Sequence, residues 1–322
     1  MSTYTNTPNT FPSSSATNHT EIKQLKSILD ACQNIVIGAG SGLSTAAGLT
    51  YSGTRFRHYF SDFERTYGFR DMYAGGFYPY QTPEAYWAFW SRSVWINRYA
   101  PIPKNTYDVL QELVEHKNYF VLTTNVDHCF QRSGFDKERL FYTQGDYGLF
   151  QCSEPCCKQT WDNKEIIKAM VLAQGFEIAE DKTLIVPEKT TPTMTVPSNL
   201  IPYCPDCDRC AEINLRVDET FVEDTGWHAA SKRYNHYLQT QIDQQQPLLF
   251  LELGVGLNTP GIIKYPFWEM TAKNRHAQYV CLNAQSPYVP KSIQDRSTVI
   301  VSDIDTTLHT LATDHLSVEQ TI

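Results

Sequence analysis

The chain has no long apolar run, no excess of basic charge and no surplus of glycine or proline, and each absence removes a class of protein. Across 322 residues no stretch of about 18 consecutive apolar residues occurs, which excludes a helical membrane span. The 27 Lys and Arg are outnumbered by 35 Asp and Glu, giving a formal net charge of −8, so neither a general nucleic-acid binder nor a binder of anionic membranes is expected. Sixteen glycines and 17 prolines are an ordinary share, no internal repeat is evident, and collagen-like, disordered and coiled-coil classes drop out. What is present, 41% apolar residues with 16 Phe, 6 Trp and 19 Tyr, is enough to bury a sizeable core in one large domain or one with a satellite.

Ten of the first 20 residues are Ser or Thr, none is Lys or Arg, and no apolar stretch interrupts them. They fit neither a secretory signal nor an Arg-rich transit peptide. Such a composition buries too little to offset the entropy of ordering, so residues 1–20 are expected to be a disordered tail and the protein to be cytoplasmic.

Nine cysteines make an odd number, and six fall in two tight groups, Cys152, Cys156, Cys157 and Cys204, Cys207, Cys210. This distribution suggests a metal rather than a disulfide framework. Cys152-x3-Cys156 and Cys204-x2-Cys207 supply two ligand pairs that can present four thiolates to tetrahedral Zn²⁺, with Cys157 and Cys210 as nearby spares. Disulfides or idle thiols are the plainer alternative. Cys32, Cys129 and Cys281 stand alone and read as small core residues.

Ile22, Leu25, Ile28 and Leu29 recur at helical spacing, and the apolar run 35–37 ends in Gly38-Ala39-Gly40-Ser41-Gly42. Further short apolar runs at 119–122, 140–142, 248–253, 279–282 and 299–301 lack alternation, as strands buried on both faces of a parallel sheet should. Helical segments at 107–116, 228–241 and 304–312 lie among them. The pattern predicts an α/β fold, a Rossmann-like doubly wound parallel sheet. The aromatic segment 51–100 and the cysteine segment 150–217 do not fit it and read as insertions that form a smaller lobe.

Three motifs can carry chemistry. The glycine turn at 38–42 would let backbone approach a pyrophosphate, with the next helix's free N–H groups binding the anion; a tight structural turn explains it equally well. Thr123-Thr124-Asn125-Val126-Asp127-His128 follows a strand directly and so faces the ligand crevice of an open α/β sheet, where Asn125 and Asp127 can contact a ribose and a carboxamide; an Asx turn and helix cap is the plainer reading. Gly254-Val255-Gly256-Leu257-Asn258-Thr259-Pro260 is a second glycine turn at the same edge, or else a strand-to-helix turn with proline near the helix start.

In order and spacing these segments together resemble the sirtuins. The family's Gly-Ala-Gly-x-Ser and following Gly-Ile-Pro are similar to Gly38-Ala39-Gly40-Ser41-Gly42-Leu43-Ser44 and Ala47-Gly48-Leu49, and its Thr-Gln-Asn-Ile-Asp to Thr123-Thr124-Asn125-Val126-Asp127 with Ser133-Gly134. The cysteine pairs, the turn 254–260, Leu282-Asn283 and Asp303 continue the match over about residues 22–312. The resemblance implies NAD⁺ between two lobes, with Gly38, Ala39, Gly40, Ser41, Arg55, Thr124, Asn125, Asp127, Gly254, Val255, Gly256, Asn283 and Asp303 at the cofactor, and one structural zinc on Cys152, Cys156, Cys204 and Cys207. It implies a domain plan in which 21–50, 101–149 and 218–314 form the NAD-binding domain, 51–100 a helical cofactor-loop insertion, 150–217 the zinc module and 315–322 a second tail.

The departures from the family are as informative. Its deacylases place a general-base histidine before a glycine about eight residues upstream of the first zinc cysteine, where this chain has Gln144-Gly145. Glutamine donates and accepts hydrogen bonds but is no base at neutral pH. His58 and His128 do not occupy the motif position. The family's Asp-Phe-Arg is replaced by Tyr51-Ser52-Gly53 with Arg55-Phe56 later, and its Phe-Gly-Glu peptide clamp by Val222-Glu223-Asp224. These features resemble the macrodomain-linked microbial sirtuins, class M. That resemblance implies a protein ADP-ribosyltransferase acting on a lipoylated carrier related to the glycine-cleavage H protein, reversed by a macrodomain ADP-ribosyl hydrolase and linked to lipoate metabolism and oxidative stress. Asn125 and Gln144 would then position the ribose and Asp127 the carboxamide. A weak lysine deacylase and a non-catalytic NAD sensor are the alternatives.

Overall fold

A computed structural model of the chain describes residues 17–257, 259–285 and 288–319. Most of the N-terminal tail expectation, Asn258 of the second glycine turn and the last three residues lie outside the described residues.

Among those residues eleven strands form three sheets. The largest has six parallel strands, β1 (Asn34–Ala39), β2 (Asn118–Thr123), β3 (Leu140–Tyr142), β9 (Leu248–Leu253), β10 (Ala277–Asn283) and β11 (Ser297–Val301), in the spatial order β11-β10-β9-β1-β2-β3. Every residue of β1 and β9 is buried, which is why their apolar residues run on without alternation. One face of the sheet packs on the helices Thr17–Ala31, Thr106–Val114 and Ile304–Glu319, through Leu25, Leu29, Tyr107, Leu110, Leu308 and their neighbours. The other packs on Thr225–Asp243 and Lys264–Lys273, through Tyr234, Leu238, Ile263 and Phe267. The doubly wound fold read from the sequence is the one observed, with Thr17–Thr20 already helical and the last helix extending through Glu319.

The chain winds outward from β1 through β2 to β3, then returns to β9 beside β1 and winds the other way. Strand order therefore reverses between β1 and β9, and open α/β sheets bind ligands at the carboxyl ends of the strands flanking such a point. Ala39 pairs with Thr123 on one side and Leu253 on the other, so the three strand ends finish level.

Residues from both insertions share one core. Phe56, Phe60, Phe63, Trp87, Phe89 and Trp95 pack with Phe150, Ile167, Met170, Phe176 and Ile213. The first group sits on the helices Gly53–Tyr67 and Pro83–Val94 and the π-helical turn Trp95–Tyr99. The second belongs to an antiparallel sheet of β4 (Gly145–Cys152), β5 (Trp161–Asp162) and β8 (Ala211–Leu215), with the helix Lys164–Ala173 and the hairpin β6 (Glu177–Ile178) and β7 (Leu184–Ile185) alongside. Buried Arg92 crosses between the two, pairing with Asp62 at 2.9 Å and Gln174 Oε1 at 2.7 Å and donating to the Thr193 carbonyl at 2.9 Å. Because β4 begins at Gly145, the cysteine-bearing sheet starts right after Gln144.

Candidate functional site

The two glycine turns touch each other at the point of reversal. Gly40 N–H donates to the Leu253 carbonyl at 3.0 Å and Gly42 N–H to the Gly254 carbonyl at 2.9 Å. A Cβ on Gly40 would stand 2.7 Å from the Val255 Cα, and one on Gly42 2.6 Å from the Gly254 Cα. Gly254 also has φ 62°, the left-handed region that side chains disfavour. The glycines are thus demanded by backbone contact between the turns, and the same bareness lets a pyrophosphate approach. Ser41 opens the short helix Ser41–Ala46 and is exposed, while Ala39 is buried and hands its carbonyl to Thr123 and Thr124.

The loop after β2 leans on the first turn. Asn125 is 9% exposed; its Nδ2 donates to the Gly40 carbonyl at 3.0 Å and lies 3.4 Å from the Tyr107 hydroxyl, while its N–H is held by Thr123 Oγ1 at 3.0 Å. Asp127 accepts from Ser44 Oγ at 2.5 Å and from the Cys129 N–H at 3.0 Å. Ser44 in turn meets Tyr107 at 3.0 Å. Asn125, Asp127, Ser44 and Tyr107 make one connected polar group beside the carboxyl ends of β1 and β2, so these side chains are fixed by one another.

Gln144 sits in the turn between β3 and β4, half-buried. Its carbonyl accepts the Arg216 N–H at 3.0 Å, and its side-chain amide has no protein partner among the described residues. Gly145 has φ 95°, and a Cβ there would strike the Asn214 carbonyl oxygen, so this turn requires glycine. Tyr51 and Tyr147 share a hydroxyl contact of 2.8 Å. Burial pushes the Tyr147 phenol up to about 12, helped by the negative charge of Asp127. Both phenols are protonated hydrogen-bonding groups at neutral pH.

Other residues expected at a cofactor are engaged with the protein. The Arg55 guanidinium donates to the Thr50 and Ile96 carbonyls and to Asn97 Oδ1, and burial lowers its pKa. Asn283 donates to the Val255 carbonyl at 3.1 Å. Asp303 caps the final helix by accepting from the Thr306 N–H and hydroxyl, both at 2.9 Å. Gly256 has open space around its Cα. Val222-Glu223-Asp224 is structural at both ends: Val222 bonds Gln151 and Asn214, Asp224 caps the helix Thr225–Asp243, and Glu223 pairs with Arg216, whose guanidinium lies over Phe221 and Trp227.

The sequence did not single out Ser44, Tyr107 or Asp146. Asp146 is a buried carboxylate that accepts from Arg98 Nε at 2.6 Å and meets His128 Nδ1 at 2.6 Å. Asp146 lies in β4, whose burial has no clear signature in the sequence, so no signal there marked it. His58 is exposed and packs edge-on to Tyr59.

The cysteine cluster meets the requirements of a tetrahedral metal. The Sγ atoms of Cys152, Cys156, Cys204 and Cys207 all lie within 4.8 Å of one another, and two pairs, 152 with 207 and 156 with 204, stand at 3.6 Å. A Zn–S bond of about 2.3 Å sets a tetrahedral edge of about 3.8 Å, so the four thiols fit the ion with little movement. Cys157 faces Asp206 beside Cys156, and Cys210 stands outside the four-thiol group.

No protein-family model matches the chain. Its fold is that of the sirtuins: Sir2Tm bound to a propionylated peptide superposes with a TM-score of 0.54 at 16% identity, covering 91% of this chain and 98% of that one. A Sir2 homologue in complex with NAD gives 0.52 at 14% identity, covering 91% and 93%. A protein ADP-ribosyltransferase of Staphylococcus aureus strain Mu50 is 38% identical over 287 residues, 89% of this chain and 85% of that protein. The chain therefore belongs to the family of sirtuin-like protein ADP-ribosyltransferases. A probable bifunctional ADP-ribose hydrolase/ADP-ribosyltransferase of Fusarium oxysporum f. sp. cubense is 27% identical over 243 residues, and this chain spans 38% of its length.

Proposed function

We propose that the protein transfers ADP-ribose from NAD⁺ to a side chain of a lipoylated carrier related to the glycine-cleavage H protein, and that a macrodomain hydrolase removes the mark. The observation that carries this reading is Gln144 at the turn beside the Asn125–Asp127 loop, with its amide unpartnered among the described residues and no histidine at that position. NAD⁺ supplies an ADP-ribosyl group whose C1′ becomes electrophilic as nicotinamide departs. Around it the chain's own groups orient and stabilise: Gly38, Ala39, Gly40 and Ser41 at the pyrophosphate, Asn125 and Gln144 at the nicotinamide ribose and Asp127 at the carboxamide, with Thr124 and Arg55 also at the cofactor. Gly254, Val255, Gly256, Asn283 and Asp303 flank the adenosine half. Positioning and electrostatics suffice for glycosyl transfer. Deacylation further requires a ribose hydroxyl to be deprotonated, which a glutamine amide does not do.

The assignment draws further support from the paired hydrolase and transferase in the name of the fungal relative. One Zn²⁺ on Cys152, Cys156, Cys204 and Cys207 would brace β4 and β8 as structure. The domain plan drawn from the sequence assigns 21–50, 101–149 and 218–314 to NAD⁺, with the lobe from 51–100 and 150–217 closing over it. A cytoplasmic location and a role joining lipoate metabolism to oxidative stress belong to the same reading; no helix among the described residues is long and apolar enough to cross a membrane. Incubating the protein with NAD⁺ and lipoylated H protein, then weighing the carrier by mass spectrometry, tests it. A covalent ADP-ribose increment is expected. O-acyl-ADP-ribose released from acyl-lysine peptides without carrier labelling would favour the deacylase, and binding without turnover the sensor.

A further inference from the structure

The loop that carries Asn125 and Asp127 is joined to the turn that carries Gln144 at four places. Thr143 donates both its N–H (2.9 Å) and its hydroxyl (3.2 Å) to the Thr123 carbonyl, and the Tyr147 N–H donates to the Val126 carbonyl at 2.9 Å. The fourth join is between side chains, His128 Nδ1 to Asp146 Oδ2 at 2.6 Å. Both of its residues sit where the fold alone would not put them.

His128 has φ 64° and ψ 19°, a left-handed conformation that glycine adopts freely and a Cβ disfavours. Non-glycine residues held this way persist only where their surroundings fix them, and they cluster at functional sites. Asp146 is a carboxylate whose side chain is 5% exposed. It accepts from Arg98 Nε at 2.6 Å and from the Gly148 N–H at 2.7 Å. Burial would raise its pKa, but the His128 hydrogen bond and the Arg98 charge bring it below the ordinary range, so it stays an anion. Arg98 comes from the π-helical turn of the small lobe, Asp146 from β4, and His128 from the loop after β2. The three side chains meet where these elements join. A water-sized cavity of about 10 Å³ lies between the two loops, lined by Asn125, Asp127, His128, Tyr142, Gly145 and Asp146.

We propose that the chain Arg98–Asp146–His128 is a positioning device for the transfer reaction: through Nδ1, His128 fixes the Asn125–Asp127 loop against the Gln144 turn. This rests on the reading that Asn125 and Gln144 address the ribose of NAD⁺. His128 Nε2 has no protein partner among the described residues, so the ring could instead work as a base through that atom, and the two roles separate by substitution. Asparagine tolerates the left-handed backbone and places Nδ2 where histidine has Nδ1, able to donate to Asp146 but unable to take up a proton. Glycine relieves the backbone and removes the contact.

The experiment measures nicotinamide release from NAD⁺, with and without the lipoylated H protein, for wild type, His128→Asn, His128→Gly and Asn125→Ala, together with KM for NAD⁺ and melting temperature. His128→Gly is expected to keep its fold and KM but lose about tenfold or more in kcat, since misplacement by about 1 Å is enough for such losses. His128→Asn is expected to stay within about threefold of wild type. Loss of activity in His128→Asn equal to that in His128→Gly would overturn the proposal in favour of a proton-transfer role. Wild-type kcat in His128→Gly, beside an impaired Asn125→Ala, would overturn it alone; wild-type kcat in Asn125→Ala would overturn the site reading and the proposal with it.

Discussion

Asn125 and Gln144 differ in how the fold holds them, and their substitutions should differ accordingly. Asn125 is pinned by the Gly40 carbonyl and Thr123 Oγ1 with its side chain buried at a strand end. Asn125→Ala is expected to leave the far-ultraviolet spectrum unchanged and to lower transfer by about 10²-fold or more, if the amide orients the ribose in the transition state. Carrier labelling at the wild-type rate would remove it from the site. Among the described residues Gln144 is held through its backbone alone, which leaves its amide to serve a ligand. Gln144→Ala is expected to lower transfer by a hydrogen bond's worth, on the order of 1 kcal/mol or more. Gln144→His is expected not to restore release of acyl groups from acetyl-lysine peptides, because Tyr51 and Tyr147 close together beside the site and Glu223 is tied to Arg216. Robust deacylation by that variant would make the protein a deacylase with a decayed base.

The elements that position these residues were unevenly legible. β1 and β9 showed as apolar runs because both faces are buried, and each is followed directly by a glycine the eye can find. β4 and β8 did not show, since Gln151, Glu212 and Asn214 interrupt them; inside the fold these satisfy one another, Gln151 Nε2 to Glu212 at 2.8 Å and Asn214 Nδ2 to Gln151 at 2.7 Å. Pairwise satisfaction of buried polar groups has no signature in a one-dimensional pattern. Ser44 and Tyr107 stayed hidden for the same reason, as helix positions whose partners come from 83 and 63 residues away. The glycine turns were visible but their reason was not: each is bare because the other occupies the space. Gly254→Ala combines a disfavoured φ with a Cβ 2.6 Å from Gly42, and neither backbone can yield without breaking the Gly42 N–H bond to Gly254. A loss of about 2 kcal/mol or more is expected, read by denaturant titration, together with weakened NAD⁺ binding by calorimetry. Unchanged stability would show that the turns part at little cost.

At the scale of the whole molecule, two apolar faces on the parallel sheet and a separate aromatic core in the lobe make two units, and the cysteine cluster that could hold a metal belongs to the second. The sheet is sandwiched by helices and contains none of the four clustered cysteines. Even its buried acid, Glu252, is matched within the same unit by Lys264, the Tyr279 hydroxyl at 2.6 Å and Cys281. The four thiols instead close the far ends of β4 and β8, whose opposite ends reach the Gln144 turn and Asn214. Structural zinc contributes folding energy directly, so removing it should act on the lobe and reach the site along these two strands. Purified protein is therefore expected to carry about one equivalent of zinc. Treatment with a strong chelator, or Cys204→Ser, should split a single thermal transition into two, the lower belonging to the lobe. Hydrogen exchange should then be fast at 145–160 and 202–215 and slow at β1, β9 and β10, with transfer activity lost while the sheet persists. A metal content well below half an equivalent in protein with an ordered lobe and full activity would show that the four cysteines hold their geometry as free thiols, and that the site owes nothing to the ion.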